Sequence, residues 1–306
     1  MTSNNFTVAV LGLGAMGLPM ATRLATELTV HGFDIADARL ELAAKAGIKT
    51  FGSAREACDG ADALLLAVRN GDQLNEVLFG EDGVASVLKP GAVVILGSTV
   101  GTEAIPATVA QLSRYGVALV DAPLSGGPKR AGEGDLLIVV GAAPEALEKA
   151  RPVLELLAST LSVVGDKPGD GQALKTVNQL LCGVHIAAAA EAMALADALG
   201  LDQANTLAAL EAGAAGSFML SNRSPRMLEA YNDDGAEVLS RLDIFVKDMG
   251  IVGKATRSAG LATPVAAAAE QLYLLGQAQG LAAADDSAVI KVLAPTKRNP
   301  EARIKP

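Results

Sequence analysis

Gly12-Leu13-Gly14-Ala15-Met16-Gly17 places glycine at the spacing GxGxxG. The run follows a short β-rich segment, Phe6–Leu11, and opens a helical pattern reaching about Glu27. A carboxylate, Asp34, ends the second β-rich segment, 22 residues after Gly12. The hexapeptide alone also fits a glycine turn without a ligand. With a strand before it, a helix after it and an acid at that distance, the chemistry it suits is capture of a dinucleotide. Gly12 permits the tight turn, Gly14 lets a pyrophosphate approach backbone N–H groups, and Gly17 lets helix and strand pack closely. Leu13, Ala15 and Met16 complete the phosphate-facing loop. Asp34 can accept hydrogen bonds from the adenosine ribose hydroxyls and would repel a 2′-phosphate, which favours NAD over NADP. Arg39, five residues on, pulls weakly the other way.

Three further groups stand where chemistry is expected. Val68-Arg69-Asn70 and Gly97-Ser98-Thr99 end apolar runs, and in an open parallel sheet such ends face the ligand crevice. Val68, Arg69 and Thr99 are therefore cofactor-contact candidates, although Thr99 suits equally a cap for a helix opening at Thr102. Asp121-Ala-Pro-Leu-Ser-Gly-Gly127 follows another strand. Its Ser125 hydroxyl and the N–H groups of Gly126 and Gly127 form a nest suited to a carboxylate, or an ordinary turn. Lys175 is the fourth residue of a long helical run, with Asn178 and Gln179 at i+3 and i+4 on its face. The trio offers one cation and two amides to a crevice, whereas a helical lysine is more often a solvated charge. Lys247-Asp248 reads either as a helix surface or as a cation reaching the cofactor.

The chain supplies few other groups for acid–base work. Its 306 residues include two histidines, His31 and His185, and two cysteines, Cys58 and Cys182. A zinc alcohol dehydrogenase site needs ligands that are missing here, so no metal is expected. A Tyr-x-x-x-Lys pair is absent too: the positions four after Tyr115, Tyr231 and Tyr273 are Leu119, Gly235 and Gln277. His31 lies inside a strand and reads as structural. General acids and bases thus narrow to lysine or a carboxylate. The net charge of −9, without a basic run, argues against nucleic-acid binding. Two cysteines make no disulfide framework, and the chain shows neither a signal-peptide pattern nor an unbroken apolar run of about 18 residues. The expectation is a soluble cytoplasmic protein with no membrane partner.

The elements that must position these residues follow from the apolar pattern. Strands are predicted at Phe6–Leu11, Leu28–Phe33, Ile48–Phe51, Ala63–Val68, Ala92–Leu96, Val117–Asp121, Leu136–Val140 and Leu161–Val164. Helices alternate with them, among them Thr102–Tyr115 and Pro144–Leu157, and Ser53 can cap another. This alternation predicts an α/β fold with a doubly wound, Rossmann-type parallel sheet over residues 1–165. After the turn-rich Asp166–Gly171 the strands cease. Gln172–Leu199 reads as one helix, about 42 Å long, which should join the first domain to an all-α C-terminal domain within 166–306. Helices follow at Asp202–Ala212, Arg223–Tyr231, Leu242–Ala259, Pro264–Gly280 and Ser287–Leu293. The polar, proline-bearing tail 295–306 is expected to be mobile. The alanine-rich helical half, poor in polar surface, suggests packing against a second copy.

The ordered set Gly12–Gly17, Asp121–Gly127, Gly169-Asp-Gly-Gln-Ala-Leu-Lys175 and Phe245-Val-Lys-Asp248 resembles the β-hydroxyacid dehydrogenases over nearly the whole chain. That family includes 3-hydroxyisobutyrate dehydrogenase and tartronate semialdehyde reductase. The runs Asn178–Glu191, Leu242–Asp248 and Asp285–Lys291 look most like its L-threonate dehydrogenase branch. The resemblance implies that Lys175 is catalytic, that Ser125, Gly126 and Gly127 hold a substrate carboxylate, and that Thr99 and Lys247 contact the cofactor. It implies a small anionic hydroxy acid as substrate, with a four-carbon sugar acid such as L-threonate first, and a homodimer or homotetramer. The alternatives within the family are 3-hydroxyisobutyrate, tartronate semialdehyde or a related semialdehyde. A non-catalytic NAD sensor is the alternative of another class. Two positions depart from many relatives: Gln179 stands where they carry Asn, and Leu124 where they carry Val. The longer arm of Gln179 should reshape the pocket.

Overall fold

The computed structural model describes residues 6–296. The expectation for the tail falls mostly on residues 297–306, which lie outside the described residues. The chain divides into two compact units, Met1–Lys175 and Thr176–Pro306.

The first unit runs β1 (Thr7–Leu11), α1 (Gly17–Leu24), β2 (Thr29–Phe33), α2 (Asp37–Lys45), β3 (Lys49–Thr50), α3 (Ala54–Cys58), β4 (Ala63–Leu66), α4 (Gly71–Phe79), β5 (Val93–Leu96), α5 (Ile105–Leu112), β6 (Ala118–Asp121), β7 (Leu124–Ser125), α6 (Gly127–Glu133), β8 (Leu136–Gly141), α7 (Pro144–Leu157) and β9 (Ala158–Gly165). The strands lie in the order β3-β2-β1-β4-β5-β6-β8-β7, with β9 beside β8. Pairing is parallel from β3 through β6, while β8 runs antiparallel to β6 and β7 and parallel to β9. The strand order reverses at β1 and β4, and in open sheets of this kind ligands bind at such a switch point, outside the carboxyl ends of the strands.

Alternation of side chains across the pleat explains the two buried layers. Val8, Val10, Leu65 and Ile95 face one side, where they meet Met20, Ala21, Leu24, Ala150 and Leu154 of α1 and α7. Ala9, Leu11, Leu64, Leu66, Val94 and Leu96 face the other, against Ala57, Leu74, Leu78, Ile105 and Leu112 of α3, α4 and α5. Both faces of β4 and β5 are covered, so those strands are continuous apolar runs rather than alternating ones. Cys58 sits in the second layer with no exposed surface, and burial pushes its thiol up to about 12. His31 is structural, as expected: its Nδ1 lies 3.1 Å from the Ala57 carbonyl and its ring beside Phe51.

Local rules placed most boundaries. Ser53 caps α3 by accepting from the Glu56 N–H. The helix expected from Thr102 instead begins at Ile105, so Thr99 is not its cap. The strand β7 and the helix α6 were not expected from the sequence. Gly126 and Gly127 adopt φ of +145° and +77°, which turns the chain, and Pro128 falls in the first helical turn, where its missing N–H costs nothing.

Helix α8 (Asp170–Ala198) is one continuous element of 29 residues, two turns from the first unit continuing into the second. By length and composition it is apolar enough to cross a membrane, but 44% of its most apolar window is buried inside the fold. The second unit then carries α9 (Gln203–Ala212), α10 (Phe218–Glu229), α11 (Leu242–Ser258), α12 (Pro264–Ala278) and, after a 3₁₀ turn at Asp286–Val289, α13 (Ile290–Leu293). Helix α10 starts five residues before the expected Arg223, capped by Ser217, and it tolerates Pro225 inside. Its core gathers Ile186, Ala190, Met193, Met227, Phe245, Met249 and Tyr273. Tyr273 is fully buried, donates to the Gly183 carbonyl at 2.7 Å and stacks on Phe245. Arg223 grips Asp286 with two hydrogen bonds, and Arg226 pairs with Asp285 at 3.0 Å, so each buried carboxylate has its cation.

Candidate active site

The glycine turn meets the geometric demands of each position. A Cβ on Gly12 would lie 2.5 Å from the Ala67 carbonyl oxygen, and its φ of +92° suits glycine. A Cβ on Gly17 would lie 1.7 Å from the Gly12 carbonyl oxygen, so α1 approaches the turn closer than any side chain allows. Around Gly14 the opposite holds: nothing lies within 4 Å of where a Cβ would be. Leu13 is buried in the core, whereas Ala15 is exposed and Met16 half-buried. Asp34 is fixed at the end of β2, accepting from the Leu13 N–H at 2.7 Å and the Ala36 N–H at 2.9 Å. A carboxylate offers about four acceptor sites, so two remain for ribose hydroxyls. An open glycine, tight glycines around it and an oriented acid fit a dinucleotide.

The next strand ends present mixed evidence. Val68 packs partly on the core, and Arg69 is exposed with its backbone N–H given to Gln73. Asn70 caps α4 by accepting from the Gln73 N–H, a local role the sequence did not announce. Thr99 is half-buried in the loop after β5.

That loop, the end of β6 and the start of α8 converge on a buried pair. Asp121, with no exposed surface, accepts from the Gly169 N–H at 3.0 Å, the Gln172 N–H at 2.8 Å and Gln172 Nε2 at 2.8 Å. Burial pushes its carboxyl above the usual range, and these donors oppose the shift. Close packing here requires Gly171, where a Cβ would lie 2.9 Å from the Asp121 carbonyl oxygen.

Lys175 is one helical turn beyond Gln172. Its side chain is 7% exposed, so it is no solvated surface charge, and its Nζ donates to Ser125 Oγ at 2.7 Å. The two glycines beside Ser125 differ in the room they leave for a side chain, with Gly126 exposed and Gly127 half-buried. Space is open where a Gly127 Cβ would stand, while a Gly126 Cβ would meet Leu136 at 2.8 Å. Among the predicted residues of the first unit, Lys175, Ser125, Gly126 and Gly127 thus gather at one place.

In the second unit a polar chain links the remaining candidates. Asn178 Nδ2 donates to Gln179 Oε1 at 2.8 Å, and Gln179 Nε2 donates to Asp248 Oδ2 at 2.5 Å. Asp248 is buried, and its other oxygen lies 2.8 Å from Lys247 Nζ. Gln172, partner of Asp121 in the first unit, carried no role of its own in the sequence pattern, and Asp248 was noted only as the neighbour of Lys247. The available signal for Asp248 was its polarity among Ile244, Phe245, Ile251 and Val252 on one helix face. Among the described residues, no three His, Cys, Asp or Glu side chains are grouped to hold a metal ion.

A parallel sheet with this turn and this acid defines a dinucleotide-binding oxidoreductase scaffold. Residues 7–165 match the family profile described as the NAD-binding domain of 6-phosphogluconate dehydrogenase. Residues 169–293 match that described as NAD-binding of NADP-dependent 3-hydroxyisobutyrate dehydrogenase. The chain is 35% identical to L-threonate dehydrogenase of Haemophilus influenzae over 95% of its own length and 96% of the relative's. It is 37% identical to L-threonate dehydrogenase of Cupriavidus necator, over 93% and 95% of the two chains. A solved structure of 3-hydroxyisobutyrate dehydrogenase from Salmonella typhimurium superposes with a TM-score of 0.86 at 34% identity, covering 94% of this chain and all of that one. The chain belongs to the β-hydroxyacid dehydrogenase family, oxidoreductases acting on CH–OH groups.

Proposed function

We propose that the protein oxidises a small anionic hydroxy acid with NAD, and that the preferred substrate is a four-carbon sugar acid of the L-threonate type. The observation that carries the reading is the buried Lys175 ammonium on Ser125, beside the open backbone of Gly127. The L-threonate names of the relatives at 35% and 37% identity support the substrate. Residues 1–165 act as the NAD-binding domain and 166–306 as the all-α domain.

Gly12, Leu13, Gly14, Ala15, Met16 and Gly17 hold the pyrophosphate, and Asp34 the adenosine ribose. Val68, Arg69, Thr99 and Lys247 complete the cofactor contacts. Ser125, Gly126 and Gly127 hold the substrate carboxylate through one hydroxyl and two N–H groups, while Asn178 and Gln179 bind the rest of the acid. NAD held by these residues would supply the hydride acceptor. Lys175 moves the proton at the substrate hydroxyl: as the neutral amine it accepts that proton in oxidation, becoming the ammonium, and as the ammonium it donates a proton to the carbonyl oxygen in reduction. Its burial keeps competing water away and strengthens its hold on a developing alkoxide.

A second reading within the family is 3-hydroxyisobutyrate, tartronate semialdehyde or a related semialdehyde. It is favoured by the name of the solved Salmonella typhimurium structure. Initial rates with L-threonate, D-threonate, the erythronates, glycerate and 3-hydroxyisobutyrate separate the two. The highest kcat/KM is expected for L-threonate with NAD, and comparable turnover of 3-hydroxyisobutyrate would overturn the sugar-acid assignment. For the cofactor, Asp34→Ala should raise the KM for NAD about tenfold, the scale of a lost charge-assisted hydrogen bond, and narrow the preference over NADP. An unchanged NAD-to-NADP ratio would remove Asp34 from that role.

The chain is also expected to form a homodimer or homotetramer in the cytoplasm. Leu174, Val177, Leu181 and Leu195 are exposed at helical spacing on α8, an apolar stripe suited to a second copy.

A further inference from the structure

We infer that Asp121 and Gln172 are the positioning residues that set Lys175 against Ser125 and, with the same side chains, fix the loop bearing Thr99. The inference rests on the reading of Lys175 given above.

Two parallel rungs join one short segment to one helix face. Asp121 and Ser125 bracket the segment, and Gln172 and Lys175 stand three residues apart on α8, the spacing of neighbours on a helix. The first rung is Gln172 on Asp121 and the second is Lys175 on Ser125. Helix register therefore transmits any displacement of the first rung to the second.

The Gln172 amide is saturated. Its Nε2 donates to the Ser98 carbonyl at 2.9 Å and to Asp121 Oδ1 at 2.8 Å. Its Oε1 accepts from the Val100 N–H at 2.9 Å and the Gly101 N–H at 3.1 Å. Two donors and two acceptor positions are all that an amide has. A glutamate has no N–H donor to replace Nε2, an asparagine is one methylene short, and an apolar side chain strands four partners, two of them buried. Ser98, Val100 and Gly101 flank Thr99, so the amide that orients the catalytic helix also shapes the backbone of the proposed cofactor loop. Asp121 completes the device by accepting from the backbone N–H groups of Gly169 and Gln172, where α8 begins.

Gln172→Met keeps the length of the side chain and its helix propensity while removing the amide. In folded protein, kcat at saturating NAD and acid should fall on the order of a hundredfold, the usual consequence of displacing a catalytic group by about an ångström. The NAD dissociation constant, read by calorimetry, should rise about tenfold. Labelling of Lys175 by an amine reagent, read by peptide mass spectrometry, should speed up as the ammonium leaves Ser125. A lowered thermal midpoint with kcat, NAD affinity and Lys175 labelling all within about twofold of wild type would make the pair purely structural and overturn the inference. Asp121→Asn, which changes a single oxygen, decides the matter in the same way if Gln172→Met does not fold. Labelling and NAD affinity need no substrate. A wild-type protein inactive on every acid, with Lys175 labelling still altered by Gln172→Met, would sink the proposed function and leave the positioning intact.

Discussion

Lys175→Ala should lose about a thousandfold in kcat while binding NAD as tightly as the wild-type protein. General acid–base groups contribute about 10²–10⁴-fold, and this site offers Lys175 no substitute. His31 is held in the sheet by Ala57 and Phe51, and Asp121 is consumed by Gln172 and Gly169. The Ser125 hydroxyl would keep its place but lose the cation that it accepts from. Cofactor binding should survive because the glycine turn and Asp34 owe nothing to Lys175. Steady-state rates and calorimetric NAD titration of the variant check both halves. Turnover within about tenfold of wild type would remove the lysine from the chemistry.

Alanine at Gly17 and at Gly14 should separate stability from cofactor binding. The Gly17 Cβ would overlap the Gly12 carbonyl oxygen at 1.7 Å, and backbone stands on both sides, so neither partner can yield cheaply. Helix α1 must move off the turn, at a cost of about 3 kcal/mol. For a protein of this size that is roughly 5–10 °C in the thermal midpoint, with loss of NAD binding as the phosphate loop distorts. Gly14→Ala meets no atom within 4 Å, so the midpoint should stay within about 2 °C. Its methyl instead fills the space the pyrophosphate needs, and NAD affinity should fall on the order of tenfold to a hundredfold. Thermal melts and NAD titrations of the two variants side by side read the difference. Tight NAD binding by Gly14→Ala would show that the open space above Gly14 is not where phosphate sits.

What was legible in the sequence was local. The turn from Gly12 to Gly17, with Asp34 closing β2, could be read because every part lies within one strand–helix–strand unit. The buried strands β4 and β5 announced themselves as unbroken apolar runs, and α8 as a long stretch free of proline. Elsewhere the deciding partner was remote or the local propensity misleading. Ser-Gly-Gly-Pro at 125–128 reads as a turn, yet α6 begins inside it because glycine and proline suit the entry to a helix as well. Gln172 finds Asp121 across 51 residues, and Gln179 finds Asp248 across 69. No spacing rule reports such pairs, since a glutamine on a helix looks the same whether its amide meets water or four protein partners. Gln179 was expected to reshape a pocket with its longer arm. Its amide nitrogen donates to Asp248 and its oxygen accepts from Asn178, contacts that the sequence did not announce.

Hydride transfer from a hydroxy-acid carbon to nicotinamide, with Lys175 handling the proton, is tested most directly by isotope. L-Threonate deuterated at its carbon-bound positions is incubated with NAD and the protein, and the reduced cofactor is analysed by mass spectrometry. One deuterium per reduced nicotinamide is expected, with formation slowed on the order of a thousandfold in Lys175→Ala. Single labels at C2 or C3 then show which carbon gives up its hydride. Reduced cofactor without deuterium, or no reduction with any hydroxy acid of the panel, would contradict it.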